Sequence, residues 1–214
     1  MPATGPDASS LEQVARALLA GEVAVFPTET VYGIGAGAFA TQAIRRIYEL
    51  KGRHGRKPLA ILVASLDAAR PLVETIPPEA LRLAEAFCPG PMTFVLAASP
   101  LGRLVTGGLA TIGVRVPAHP IALELITRVG LPLATTSVNR SGGKPATSHQ
   151  QALEIFKADV EWFLDGGECA LKQPSSVVDF SHYPFTVIRD GALPKKKIEH
   201  FLSSIQLPGC NYNF

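Results

Sequence analysis

Residues 26–58 read FPTETVYGIGAGAFATQAIRRIYELKGRHGRKP, and the placement of the remaining elements follows from this stretch. The apolar run 23–26 that leads into it has the composition of a short buried strand, and Pro27 ends that strand. A loop follows, crowded with Thr28, Glu29, Thr30, Tyr32, Gly33, Gly35 and Gly37. Thr41 is the expected cap of an amphipathic helix that runs to about Lys51, where Gly52 breaks it. Ile44, Ile47 and Tyr48 form the apolar stripe of this helix at i, i+3, i+4 spacing, and Lys51 is the i+7 member of the same stripe. An ammonium on the inward side of a helix end has two readings. It snorkels past the end into water, or it finds a partner or an anion inside. Arg53, Arg56 and Lys57 complete a burst of cations there, while Arg45, Arg46 and Glu49 fall on the solvated faces.

Upstream, Ser9 and Glu12 form a capping box for a helix that Gly21 stops. Downstream, the pattern gives a strand over 59–64 and a helix over 79–87 opened by Pro77-Pro78. A CPGP turn at 88–91 leads to a strand over 92–98, and a glycine-containing loop follows over 101–110. The strand over 111–116 alternates, with Ile112, Val114 and Val116 on one face and Thr111, Gly113 and Arg115 on the other. A helix over 119–129 closes at Gly130, and a strand over 133–136 runs into the loop SVNRSGGKPAT. Ser148 and Gln151 form a second capping box, for a helix to about Lys157. Three strands, 161–164, 176–180 and 185–189, precede a last helix that Pro194 opens. The late strands are separated only by turns. The fold class is therefore α/β (α+β), a mixed sheet with helices packed on it, and not a pure doubly wound sheet. In domain terms the reading is a tail over 1–10, one domain over 11–205 and an irregular tail over 206–214.

Apolar residues make up 47% of the chain, enough for a sizeable core, yet the longest apolar runs are too short to span a bilayer. The N-terminal residues lack a basic start followed by an apolar stretch, so no secretory signal is expected. Three cysteines, far apart and odd in number, suit a reducing cytoplasm better than a disulfide framework. A net charge of +2 implies no bulk electrostatic grip on nucleic acid. Anion binding has to come from local clusters at 51–57 and 140–144, with the lysines at 195–197 read as a solvated helix face.

Polar residues of one kind gather where strands end: Thr28, Thr135, Ser137 and Asn139, Ser175 with Ser176, and Arg189. Open sheets bind ligands at strand ends. Hydroxyls with guanidiniums and a lysine suit an oxygen-rich, anionic ligand, because arginine grips such groups with paired bonds and lysine supplies a movable charge. Thr111 and Arg115 either belong to this set or form the solvent face of an edge strand. Ser137 lacks a G-x-S-x-G context for a nucleophile, and the five histidines are scattered. SGGK at 141–144 fails the P-loop pattern, since Pro145 occupies the hydroxyl position. Glu29, Asp165, Asp179 and Asp190 are the acids available to assist a magnesium ion, again scattered.

Taken together, PTETVYG, the K-x-R of Lys51 and Arg53, the S-x-N of Ser137 and Asn139, TIGVRVP, SSVVD and the closing IRDG resemble the YrdC/TsaC family from about Leu11 to Gly191. The resemblance implies a YrdC-like twisted open sheet around a basic cavity. It implies an enzyme that makes threonylcarbamoyl-adenylate from L-threonine, bicarbonate or CO2, and ATP with Mg2+, releasing pyrophosphate. The product would feed threonylcarbamoyladenosine modification of tRNA and its transfer machinery. By the same resemblance Lys51, Arg53 and Ser137 are the catalytic positions. Thr28, Arg115, Thr135 and Ser175 hold threonine. Lys51, Arg56, Thr111, Ser137, Asn139 and Arg189 hold the nucleotide, with magnesium carried through phosphates and not by the protein, and Tyr32 shapes the pocket wall. The chain departs from the family at Ala146, where a serine is common and Thr147 is the nearest hydroxyl, and at Asp190, where a proline is common. Two other readings compete: a non-catalytic module that holds tRNA or rRNA, and a carbamoyl-adenylate synthase.

Overall fold

The computed structural model describes residues 7–52 and 57–204, so the expected tail over 206–214 and the positions of Arg53 and Arg56 lie outside the described residues. In chain order the elements are α1 (Ala8–Leu19), β1 (Ala24–Phe26), β2 (Gly33–Gly37), α2 (Thr41–Lys51) and β3 (Ala60–Leu62). A 3-10 turn (Asp67–Leu72) precedes α3 (Pro78–Phe87), β4 (Met92–Ala97), α4 (Pro100–Thr106), β5 (Thr111–Arg115), α5 (Pro120–Val129) and β6 (Leu133–Ser137). The chain continues through α6 (His149–Phe156), β7 (Trp162–Phe163), β8 (Ser176–Asp179), β9 (Thr186–Arg189) and α7 (Lys195–Ser204). No described helix is long and apolar enough to cross a membrane.

The strands form one sheet in the order β7-β1-β2-β6-β3-β5-β4-β8-β9. Three pairs are parallel, β1 with β7, β3 with β5 and β4 with β8, and the remaining pairs are antiparallel. The expected mixed sheet is what forms. The alternation read in β5 also holds. Ile112 and Val114 enter the larger core with Ile61, Phe94 and Ala134, against α2 and α3. On the opposite face, α1 and α5 cover Phe26, Leu62 and Leu133. The rest of that face is floored by small residues, Gly33, Ala60 and Gly113, and small residues at alternate positions leave a hollow.

Several local readings are corrected. The Gly33–Gly37 stretch, read as loop, is the fully buried strand β2. Glycine is a poor strand former, but a Cβ on Gly35 would stand 2.8 Å from Thr135 Oγ1, so only a hydrogen fits between β2 and its neighbour. The stretch 101–110, also read as loop, begins inside α4. Ser99 Oγ accepts from Gly102 N (3.1 Å), Pro100 occupies the first turn, and left-handed Gly107 closes the helix. The cap of α1 is Asp7, whose carboxylate accepts from Ser10 N (2.7 Å), so the helix opens within the stretch assigned to a tail. Glu12 pairs instead with Arg16 and Arg128. The cap position of α2 is Ala40, with Thr41 the first helical residue, and Gly52 closes it in the left-handed region as expected. Ser148 does cap α6, while Gln151 Oε1 accepts from Thr147 N (2.8 Å), one residue before the reciprocal bond of a capping box. β5 lies between β3 and β4, so Arg115 is not on an edge strand.

Gly35→Ala is expected to destabilise the protein by about 1–3 kcal/mol, the range for overpacking a tight interior. The added methyl meets Thr135 Oγ1, the Ala134 carbonyl at 3.0 Å and the Phe26 ring at 3.2 Å. A fall in the urea midpoint checks this, and an unchanged midpoint would mean that β2 and β6 can separate without cost.

Candidate active site

The hollow on the helix-poor part of the sheet is a cavity of about 320 Å³. Seven residues singled out from the sequence line it: Thr28 after β1, Thr111 and Arg115 on β5, Thr135 and Ser137 on β6, Ser175 before β8, and Arg189 at the end of β9. They come from opposite ends of the chain and meet because β6, β3, β5, β4 and β8 are adjacent in the sheet. Tyr32 forms part of the wall, as expected. Among the described residues lining the cavity, the charged side chains are Arg115 and Arg189, and no carboxylate, histidine or cysteine lines it.

Arg115 is 7% exposed. Its Nη2 donates to Glu29 Oε1 (2.8 Å) and Thr30 Oγ1 (2.9 Å), and its Nε donates to the Gly90 carbonyl (3.4 Å). A guanidinium has five N–H donors. Three are thus used on protein, and the two on Nη1 have no partner among the described residues. Thr28 sits beside this pair in a tight turn. Its Oγ1 donates to the Val31 carbonyl (2.7 Å), lies 2.8 Å from Thr30 Oγ1 and accepts from Thr30 N and Val31 N.

At the other side of the cavity Arg189 grips Ser175 twice, Nε on the carbonyl (2.8 Å) and Nη2 on Oγ (2.9 Å). Ser175 Oγ also lies 2.9 Å from Thr93 Oγ1. Thr93 lines the cavity and escaped the sequence reading, although its place on β4 directly beside Arg115 follows once the β4–β5 register is known. Partial burial and repulsion from Arg115 both hold Arg189 below the ordinary arginine value.

Lys51 does point inward, and at 1% exposure it does not snorkel. Its Nζ donates to the carbonyls of Ser137 (2.5 Å) and Asn139 (3.0 Å) and to Asn139 Oδ1 (2.8 Å). Neither Lys51 nor Asn139 lines the cavity, and the ammonium instead fastens the end of α2 to the end of β6. Asn139 extends the clamp. Its Oδ1 accepts from Ser137 Oγ (2.7 Å), and its Nδ2 donates to the carbonyls of Arg140 and Gly143 (both 2.9 Å), which shapes the SGGK loop.

Several titratable groups near the Arg115–Glu29 pair are shifted by burial. Burial pushes the Cys88 and Cys169 thiols up to about 11. Burial also holds His119 below the usual imidazole value, against an opposing pull from Glu29. Tyr32 is raised by burial, and its hydroxyl is placed by donating to the Gly167 carbonyl (2.9 Å) and accepting from Gly166 N (3.0 Å). The acids considered for magnesium have other work. Glu29 pairs with Arg115, Asp165 accepts from Gly167 N and lies 3.3 Å from His149, Asp179 accepts from Ser181, and Asp190 caps α7 through Lys195 N (2.8 Å). At the departures from the family, Ala146 is buried beside β6, and Thr147 Oγ1 donates to Gln151 (3.2 Å) without lining the cavity.

Lys51→Met is expected to lower stability by about 2–4 kcal/mol, because three buried oxygens lose a charged donor. Urea unfolding at constant m is the check. A midpoint equal to wild type would show that the α2–β6 clamp carries no weight.

A family profile described as Telomere recombination, covering the Sua5, YciO and YrdC proteins, matches residues 16–191. The chain is 43% identical over 193 residues to the threonylcarbamoyl-AMP synthase of Pyrococcus abyssi, covering 90% of this chain and 57% of that protein. It is 36% identical over 199 residues to the threonylcarbamoyl-AMP synthase of Bacillus subtilis, covering 92% and 58%. The crystal structure of P. abyssi Sua5 complexed with L-threonine superposes with a TM-score of 0.87 at 42% identity, covering 92% of this chain and 58% of that one. The chain therefore spans a little over half the length of these relatives. With the profile, the relatives and the fold in agreement, the protein belongs to the Sua5–YciO–YrdC family.

Proposed function

We propose that the cavity joins L-threonine, bicarbonate (or CO2) and ATP into threonylcarbamoyl-AMP, with release of pyrophosphate and, from bicarbonate, of water. The observation that carries this reading is Arg115. It is a buried guanidinium on the cavity wall with three donors fixed on protein and the Nη1 pair left over, which suits a carboxylate. The relatives named as threonylcarbamoyl-AMP synthases, and the solved relative that binds L-threonine, support the same reading.

The chemistry needs no protein nucleophile. The threonine amine attacks the carbon of CO2 and loses a proton, giving a carbamate; starting from bicarbonate, the C–OH bond also breaks and its oxygen leaves as water. A carbamate oxygen then attacks the α-phosphorus, and the bond to pyrophosphate breaks. The protein contributes position and charge. Arg115 takes the threonine carboxylate, with Thr28, Thr135 and Ser175 around the amino acid. Thr111, Ser137 and Arg189 face the nucleotide. Arg53 and Arg56, which follow α2, belong to the triphosphate end in this proposal. Lys51 and Asn139 serve the same end by holding Ser137 and the SGGK loop. Magnesium would travel with ATP on phosphate oxygens, since the described lining residues offer hydroxyls and no carboxylate. The downstream use proposed for the product is threonylcarbamoyladenosine formation in tRNA.

Pyrophosphate release from ATP, bicarbonate and a panel of amino acids tests this reading. Release should depend on L-threonine, and Arg115→Ala should lower kcat/KM for threonine by about 10²-fold or more, the scale of a lost charge-stabilising donor. Release that ignores the amino acid, or an Arg115→Ala variant as active as wild type, would contradict it. Tight tRNA binding without turnover would favour a non-catalytic module.

A further inference from the structure

Among the described residues the cavity lining carries two cations, Arg115 and Arg189, and the acid paired with Arg115 is Glu29, which does not itself line the cavity. Glu29 is 7% exposed. Its Oε1 is spent on Arg115, while Oε2 is buried with no hydrogen-bond partner among the described residues. Leaving a buried carboxylate oxygen unsatisfied is costly, so the charge at position 29 is held by its pairing with the buried Arg115 guanidinium. The loop is firm, because the Glu29 carbonyl accepts from Leu171 N (2.9 Å) and the Thr28–Thr30 turn holds the next residues. Arg189 is a further cation on the wall, and the remaining ionisable neighbours Cys88, Cys169 and His119 supply no anion near pH 7, because burial raises the two thiols and lowers the imidazole. Glu29 is thus the anion that offsets Arg115 at this end of the cavity.

A guanidinium paired from behind still offers its Nη1 protons, but it presents little net charge. A ligand that is only an anion gains the hydrogen bonds and is repelled by the carboxylate behind them. A zwitterion gains the same hydrogen bonds and places its ammonium in a field that Glu29 makes less positive. We propose that Glu29 is a specificity-determining, positioning residue: through its ion pair with Arg115 it makes this end of the cavity prefer an amino-acid zwitterion to a simple anion. The inference rests on the functional reading above and adds to it a reason for the choice of substrate class.

The test is calorimetric titration of the intact chain with L-threonine, with 3-hydroxybutyrate (threonine without its ammonium) and with inorganic phosphate. It compares wild type with Glu29→Gln, and with Glu29→Met as a second neutral side chain should the amide prevent folding. Removal of the charge should shift the affinity ratio toward 3-hydroxybutyrate by about tenfold and tighten phosphate binding by a similar factor, as expected for one unit charge a few ångströms from the ligand. General damage to the pocket would weaken all three ligands together, which, like an unchanged ratio, overturns the proposal. If wild type binds no threonine, the functional reading fails. The phosphate arm still decides the role of Glu29, because phosphate binding no tighter in the variants than in wild type also overturns it.

Discussion

The ion pair between Arg115 and Glu29 joins two parts of the chain that are far apart in sequence. Glu29 lies in the turn after β1, and Arg115 ends β5, four strands away across the sheet. A lone guanidinium so deeply buried would be strongly disfavoured, and a lone carboxylate equally so. Each is tolerated because the other is present, and because Thr30 and the Gly90 carbonyl accept the next donors. The pair sets the direction of the remaining Nη1 protons. It thereby fixes the orientation of a buried guanidinium on the cavity wall.

A second fastening works at the other end. Lys51, the last residue of α2, closes over the end of β6 and holds Ser137 and Asn139 in one cluster. The two fastenings divide the labour. One places a cation at the wall, and the other spends a cation inside the protein to place a hydroxyl and a loop. The hollow between them exists because Gly33, Ala60 and Gly113 face inward at alternate positions where larger side chains would fill the space.

Much of this was legible from residues alone. The i, i+3, i+4, i+7 stripe puts Lys51 on the inward side of α2, with snorkelling still open, and the alternation 111–116 puts Thr111 and Arg115 on one face, because both periods are fixed by backbone geometry. Pairing was not legible. Gly33–Gly37 reads as loop by propensity and is a strand that pairs so closely with β6 that Gly33 and Gly35 have no room for a side chain beside Thr135. Thr93 carries no local signal, since its role comes from register. The partner of Lys51 was equally hidden: sequence spacing shows that a buried ammonium needs acceptors, but not that protein carbonyls supply them. Glu29 carries no local sign of its role, because its partner is 86 residues away.

The most direct measurement is a crystal structure of the chain with L-threonine bound. The account predicts carboxylate oxygens about 2.7–2.9 Å from Arg115 Nη1, the charge-assisted distance, with Glu29 still paired to Nη2. Threonine seated with its carboxylate away from Arg115, or an Arg115 that has left Glu29 to reach it, would contradict the claim that this pair is built in advance to receive the substrate.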